Sequence, residues 1–162
     1  MEIWDAYNSR MEKIENKKLI RGEKIEDGLF HLVCEILVKH IDGTYLLMQR
    51  DLRKSFGGTW EATAGGSALA GENALQCAVR ELREETGIVA SELTEVGCIV
   101  DDKMRSIYVE YLCVTDWNKD SITLQEGETI AYKWVNRDQL LSMCDDELIT
   151  YRVQKFIDEL KH

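Results

Sequence analysis

The chain has 162 residues, 30 of them Asp or Glu against 20 Lys or Arg, for a formal net charge of −10. This length suits a single domain with a substantial core, and the acidic balance makes a nucleic acid polymer a poor electrostatic partner, so an anionic substrate needs a cation to bring it in. Five widely spaced cysteines without a CxxC suggest neither a disulfide framework nor a zinc knuckle, and with no signal segment and no apolar run near ~18 residues the expectation is a cytoplasmic protein that does not enter a membrane.

Residues 1–27 are polar and charged apart from Ile3, Trp4, Tyr7, Leu19 and Ile20, and are expected to give a short strand or edge element ahead of a core spanning 28–162. From Leu29 to Lys39, Phe30, Leu32, Cys34, Ile36 and Val38 fall on one face and His31, Glu35 and Lys39 on the other, which predicts a strand. Asp42-Gly43 is a turn signal, and the alternation of Tyr45, Leu47 and Gln49 with Leu46, Met48 and Arg50 predicts that a hairpin is completed there. A loop with Arg53, Lys54, Gly57 and Gly58 follows, then a short extended piece over Trp60–Ala64.

A helix is predicted next, with Asn73 and Gln76 as its capping box, an apolar stripe of Leu75, Ala78, Val79 and Leu82, and Gly87 ending it in a left-handed turn. Val96–Asp101, Ile107–Thr115 and Ile130–Val135 read as strands, and Asp146–Leu160 as a C-terminal helix. Several strands with one central and one terminal helix make an α+β layered domain.

Glu81, Glu84 and Glu85 are related by i, i+3 and i+4, so on a helix they project from one side, expected to lie away from the apolar stripe. Such a surface is rich in hard oxygen ligands and suits Mg²⁺ or Mn²⁺ rather than a soft metal. A solvated acidic face is the plainer account of three glutamates on a helix.

The wider context is Gly66, five residues, Glu72, seven residues, then Arg80-Glu81-Leu82-Arg83-Glu84-Glu85-Thr86-Gly87-Ile88. This string resembles the Nudix box, G-x5-E-x7-R-E-U-x-E-E-x-G-U with U aliphatic, at every specified position. The resemblance implies a Nudix fold, a mixed β-sheet sandwiched between α-helices (α/β/α), and Mg²⁺-dependent hydrolysis of a phosphoanhydride in a small diphosphate or nucleotide, with Mn²⁺ acceptable to the same donors. It implies Glu81 and Glu85 as direct metal ligands, Glu84 as a further ligand or a water-activating base, Glu84 and Glu85 as catalytic residues, and the backbone carbonyl of Gly65 or Gly66 as a further ligand. Glu72 and Arg80 would form a structural pair. Glu128, in the Gln125-Glu126-Gly127-Glu128 turn, matches the region where Nudix enzymes often keep an additional base, and Arg50, Arg53 and Lys54 are candidate grips for substrate phosphates, with solvated loop charge as the alternative in each case. Dimers are common among such proteins, so a homodimer using the N-terminal segment is a further expectation.

Upstream of the box, Gly28–Glu72 is similar to the isopentenyl-diphosphate-isomerase-like branch of Nudix proteins, including His31 and the Gln49-Arg50 pair. Those isomerases carry a catalytic cysteine just before the box glycine and a metal-binding histidine just after it. Gly65 and Ser67 stand at those positions here, which favours hydrolysis over isomerisation. A Nudix-fold module that senses a nucleotide without turning it over is the remaining alternative, and the intact acid set argues against it.

Overall fold

A computed structural model describes residues 1–90, 92–143 and 147. The N-terminal segment forms two strands, β1 (Ile3–Tyr7) and β2 (Lys13–Ile20), paired antiparallel as a separate hairpin. It is more regular than its charged sequence leads one to expect, because β1 puts Trp4 and Ala6 into a small core with Leu19 of β2. An isolated two-stranded hairpin is marginal in water, and this one is docked. Tyr7 and Phe30 exchange backbone hydrogen bonds at 2.9 Å each way, and Ala70 N–H donates to Ile3 O at 2.9 Å.

Asp5 adds a charged anchor. Its carboxylate is 3% exposed and accepts from Lys18, from Lys13 at 2.9 Å and from Gly71 N–H at 2.8 Å. Burial works to raise its pKa, but the two ammonium groups and the amide outweigh it and hold the group at about 2. A depressed acid stabilises the fold above its unfolded pKa and loses that contribution as pH falls through the folded value. Asp5→Asn is therefore expected to destabilise the protein by ~1–3 kcal/mol at pH 7, with the deficit shrinking towards pH 2, as read by denaturant midpoints. A deficit independent of pH would contradict this account.

The main sheet is built around β3 (His31–His40). Cys34, Ile36 and Val38 belong to one buried cluster and Leu37 to another, so the predicted alternation holds and both faces are covered. β4 (Tyr45–Arg50) behaves likewise, with Leu46 and Met48 in the first cluster and Tyr45 and Leu47 in the second. The predicted β3–β4 hairpin is confined to its turn: Lys39 pairs with Tyr45 and the strands then part. Distant strands take their places. β3 pairs antiparallel with β6 (Thr63–Ser67) and parallel with β8 (Ser106–Thr115), while β4 pairs with β5 (Trp60–Glu61) and β9 (Thr129–Val135). The predicted Trp60–Ala64 piece is thus two short strands, one crossing from β4 and one lying on β3. β7 (Thr94–Asp101) closes one edge beside β8.

Helix α1 (Ala74–Thr86) covers one face and α2 (Arg137–Ser142) the other, Leu140 of α2 packing into the second cluster. The fold is α+β, a mixed sheet between helices. The sequence reading did not include α2, although Asn136 and Gln139 form the same reciprocal capping box as Asn73 and Gln76. The predicted helix Asp146–Leu160 lies outside the described residues. Among the described residues no helix is long and apolar enough to cross a membrane.

Candidate active site

Helix α1 is fixed at both ends. Asn73 Oδ1 accepts from Gln76 N–H at 2.8 Å while Gln76 Oε1 accepts from Asn73 N–H at 2.9 Å, and Gly87 (φ 80°) donates to Arg83 O at 2.9 Å. Between these caps the buried row differs from the predicted stripe. Cys77, Ala78, Leu82 and Thr86 are buried, Val79 is half-buried and Leu75 is 41% exposed. The small side chains of Cys77 and Ala78 let the helix lie close on β6 and β3, which rotates the acids inward. Glu81 and Glu85 continue the Cys77 row at i+4, so they face a cleft beside the sheet instead of solvent opposite the core; Glu84, 41% exposed, stands at its mouth.

The cleft has a volume of about 550 Å³. Its floor is α1 with Glu81, Glu84 and Glu85, against Gly65, Gly66 and Ser67 of β6. Arg50, Lys54 and Glu128 also line it, as do Glu2, Trp4 and Arg21 from the N-terminal segment. Arg53 is turned away: its Nε and Nη2 bind the Asp51 carboxylate at 2.8 and 2.7 Å, and its side chain is 74% exposed. The structure therefore gathers Glu81, Glu84, Glu85 and Glu128 and two of the three predicted cations around one cavity, while Glu72 is not among its lining residues. Within it Arg50 is paired with Glu61 and Lys54 with Glu128.

Arg80 organises the acids. Its Nε meets Glu72 Oε1 at 2.6 Å and its Nη2 meets Glu72 Oε2 at 3.0 Å and Ser67 O at 3.2 Å. Nη1 reaches Glu81 at 2.8 Å and Glu84 at 3.1 Å, so five contacts use the five N–H groups of a guanidinium. Glu72 also accepts from Leu69 N–H at 2.9 Å; burial raises its pKa, but Arg80 and this amide prevail and hold it below the usual range. Burial pushes Glu81 up, with Arg80 opposing and Glu84 adding to the rise. Burial acts most strongly on Glu85, which is pushed up to about 8 although Gly65 N–H donates to it at 3.1 Å.

The donor chemistry fits a hard divalent cation: two inward carboxylates are held in a poorly hydrated place, and among the described residues Glu85 has a backbone amide but no cationic side chain bonded to it. Among the described residues no three acidic, histidine or cysteine side chains stand together as a ready ion-binding group. Arg80 Nη1 lies between Glu81 and Glu84, so these two carboxylates would have to give up that contact to hold a cation.

The two glycines of β6 have different duties. A Cβ on Gly66 would stand 2.6 Å from Glu81 Oε1, whereas one on Gly65 would stand 2.1 Å from the backbone oxygen of Cys34. A carboxylate can swing aside and a sheet backbone cannot. Gly66→Ala is expected to fold with a loss of ~1 kcal/mol or less but to impair the site by displacing Glu81, while Gly65→Ala should cost ~1–3 kcal/mol by prising β6 from β3. Thermal melts and divalent-ion titration of the two variants check this; equal destabilisation would contradict it.

Cys77 and Cys34 place their sulfurs 3.0 Å apart, each also 3.5 Å from Gly66 O. The Cys34 contact and burial push the Cys77 pKa up, so it stays a neutral thiol and packs rather than attacks. His31 stacks on Trp4 (centroids 4.2 Å, 19° between planes), with Ser67 Oγ 3.3 Å from Nδ1 and Ser106 Oγ 2.8 Å from Nε2. Burial pushes its pKa down to about 4, so it is a neutral strut between hairpin, β6 and β8. Sequence reasoning missed Glu2, Arg21 and Glu61 as cleft residues. No local pattern marks them, because their position depends on how the hairpin docks and on where β5 crosses.

The sequence profile of the NUDIX domain matches residues 31–157. The chain belongs to the Nudix hydrolase family. As a Nudix hydrolase it is a pyrophosphohydrolase by class. It is 31% identical over 165 residues to the Nudix hydrolase lin0387 of Listeria innocua, covering 100% of this chain and 96% of that one. It is 35% identical over 102 residues to the CTP pyrophosphohydrolase of Escherichia coli, covering 62% of this chain and 72% of that one. Among solved structures, DR0079 from Deinococcus radiodurans superposes with a TM-score of 0.73 at 16% identity, covering 99% of this chain and 100% of that one, a likeness of fold.

Proposed function

We propose that this Nudix hydrolase cleaves a phosphoanhydride bond in a nucleoside-diphosphate-linked or related small diphosphate, with Mg²⁺ or Mn²⁺ as its cofactor. The observation that carries the reading is the convergence of Glu81, Glu84 and Glu85 on one cleft that also contains Arg50 and Lys54. Glu81, Glu84 and Glu85 would hold the metal, with the Gly65 or Gly66 carbonyl as a further donor. When bound, the metal neutralises phosphate charge and acidifies water. The protein's own groups supply the rest. Arg50 and Lys54 orient the diphosphate, and Arg80, anchored through Nε and Nη2 to Glu72 and Ser67 O, braces the loop against α1 while its Nη1 yields Glu81 and Glu84 to the cation. Glu84, Glu85 or Glu128 takes a proton from the water that attacks phosphorus. Lys54 is already bonded to Glu128, so a phosphate that draws Lys54 away also releases that carboxylate.

Gly65 and Ser67 favour hydrolysis over double-bond isomerisation. A glycine has no proton to exchange, and the Ser67 hydroxyl is engaged with His31. The test is release of phosphorus-containing products from a panel of nucleoside triphosphates, ADP-ribose, coenzyme A, dinucleoside polyphosphates and prenyl diphosphates with Mg²⁺ or Mn²⁺, using Glu85→Gln as control. Turnover that disappears in the variant supports the reading. Binding without turnover across the panel would instead favour a ligand-sensing role.

A further inference from the structure

The cleft is rich in acids, and four cations face it: Arg21, Arg50, Lys54 and Arg80. Arg80 spends its five N–H groups on Glu72, Glu81, Glu84 and Ser67 O. Arg50 bonds Ser55 O and Glu61, and Lys54 bonds Glu128, so each is already engaged with a carboxylate. Arg21 follows the end of β2. Its backbone N–H donates to Glu2 O at 3.0 Å and its Nη1 meets Glu2 Oε2 at 3.0 Å. Glu2 is held in turn by Trp4 Nε1–H at 2.7 Å on its other oxygen. Among the described residues Glu2 is the one side-chain partner of Arg21, whose side chain is 68% exposed where it lines the cleft and uses only Nη1 in that pair. The support beneath is rigid: Trp4 stacks on His31, and Asp5 is bonded to Gly71 in the loop that leads into α1. The hairpin thus brings a guanidinium, tethered by one contact to Glu2, into the same cleft as Arg50 and the glutamates, and a guanidinium suits two-pronged binding of phosphate or carboxylate.

We propose that Arg21 is a specificity-determining residue that binds an anionic group of the substrate beyond the hydrolysed anhydride, so that the preferred substrates carry one more phosphate or carboxylate than the diphosphate itself. The inference rests on the hydrolytic reading above for the identity of that diphosphate. It is tested with compound pairs that differ by one phosphate: CTP and CDP, coenzyme A and 3′-dephospho-coenzyme A, NADPH and NADH. Calorimetric binding is measured in the Glu85→Gln background, and kcat and KM in the parent, each with Arg21, Arg21→Ala or Arg21→Lys. Arg10→Ala, on the exposed hairpin turn, is the control.

At least one pair should show a preference of ~10-fold or more for the richer phosphate member, as a lost charge-assisted contact predicts. Arg21→Ala should abolish it through KM with kcat little changed, Arg21→Lys should restore it in part, and Arg10→Ala should leave it intact. Equal affinity within every pair, a preference that survives Arg21→Ala, or no binding of any member would overturn the inference. Preferential binding that needs Arg21 but is accompanied by no turnover in the parent would sink the hydrolytic reading and leave Arg21 as an anion-binding residue.

Discussion

Glu85→Gln is expected to reduce turnover by ~10²–10⁴-fold while leaving a folded protein that, without metal, is more heat-stable than its parent. Gln has nearly the same shape, and its amide oxygen still accepts the Gly65 N–H that Glu85 receives at 3.1 Å. What it lacks is charge in a buried place. Burial raises Glu85 from about 4.5 to about 8, with Glu81 and Glu61 adding to the shift and the amide opposing it. An acid whose folded pKa is raised binds protons more tightly in the folded state. Its contribution to stability is therefore lost as pH rises from about 4.5 through about 8. The advantage of Glu85→Gln in chelator should thus grow between pH 5 and pH 8, at roughly 2–4 °C for each kcal/mol in a protein of this size. Adding Mg²⁺ should reverse the order, because a ligand that binds only the folded parent stabilises it by mass action. Thermal scans at the two pH values, with chelator and with Mg²⁺, decide the matter. A variant less stable than its parent at pH 8 in chelator would show that the protein itself already neutralises the Glu85 charge.

Arg80→Ala is expected to cost ~2–4 kcal/mol, between the small effect of an exposed ion pair and the larger one of breaking a buried pair. Five contacts disappear together, among them both prongs on Glu72, whose side chain is 19% exposed. The remaining carboxylates Glu72, Glu81 and Glu84 would then face one another without their shared counter-charge. Arg80→Lys should recover little of the loss, since an ammonium cannot reproduce the planar fork. The double variant Glu72→Gln/Arg80→Ala should be less destabilised than the sum of its parts, because the two residues share contacts. Denaturant midpoints of the parent, Glu72→Gln, Arg80→Ala and the double variant measure this, and strict additivity would show that Glu72 and Arg80 act independently.

Residue spacing alone determined the Nudix box, the extent of α1 and the alternation of β3. These depend on local physics: side chains at i and i+4 share a helix row, a reciprocal Asn-x-x-Gln pair caps its start, and glycine tolerates the φ of 80° at Gly87. The same local signal at Asn136 marks α2, but six residues are too few for a hydrophobic period to draw attention to it. Tertiary structure decided the rest. Of the predicted stripe on α1, Ala78 and Leu82 are buried, but Leu75 is exposed and Val79 half-buried; the small Cys77 packs inward in their stead, and this shift of the buried face turns Glu81 and Glu85 towards the sheet. The turn at Asp42-Gly43 forms as predicted, yet β3 and β4 separate because β6, β8 and β9, remote in sequence, offer longer ladders. Whether a cation reaches the cleft was likewise a matter of long-range placement. Arg53 and Lys54 are adjacent in sequence, but Asp51 holds the first outside while Glu128 draws the second in, and Arg21 arrives from the far end of a hairpin whose docking depends on Asp5, Trp4 and His31.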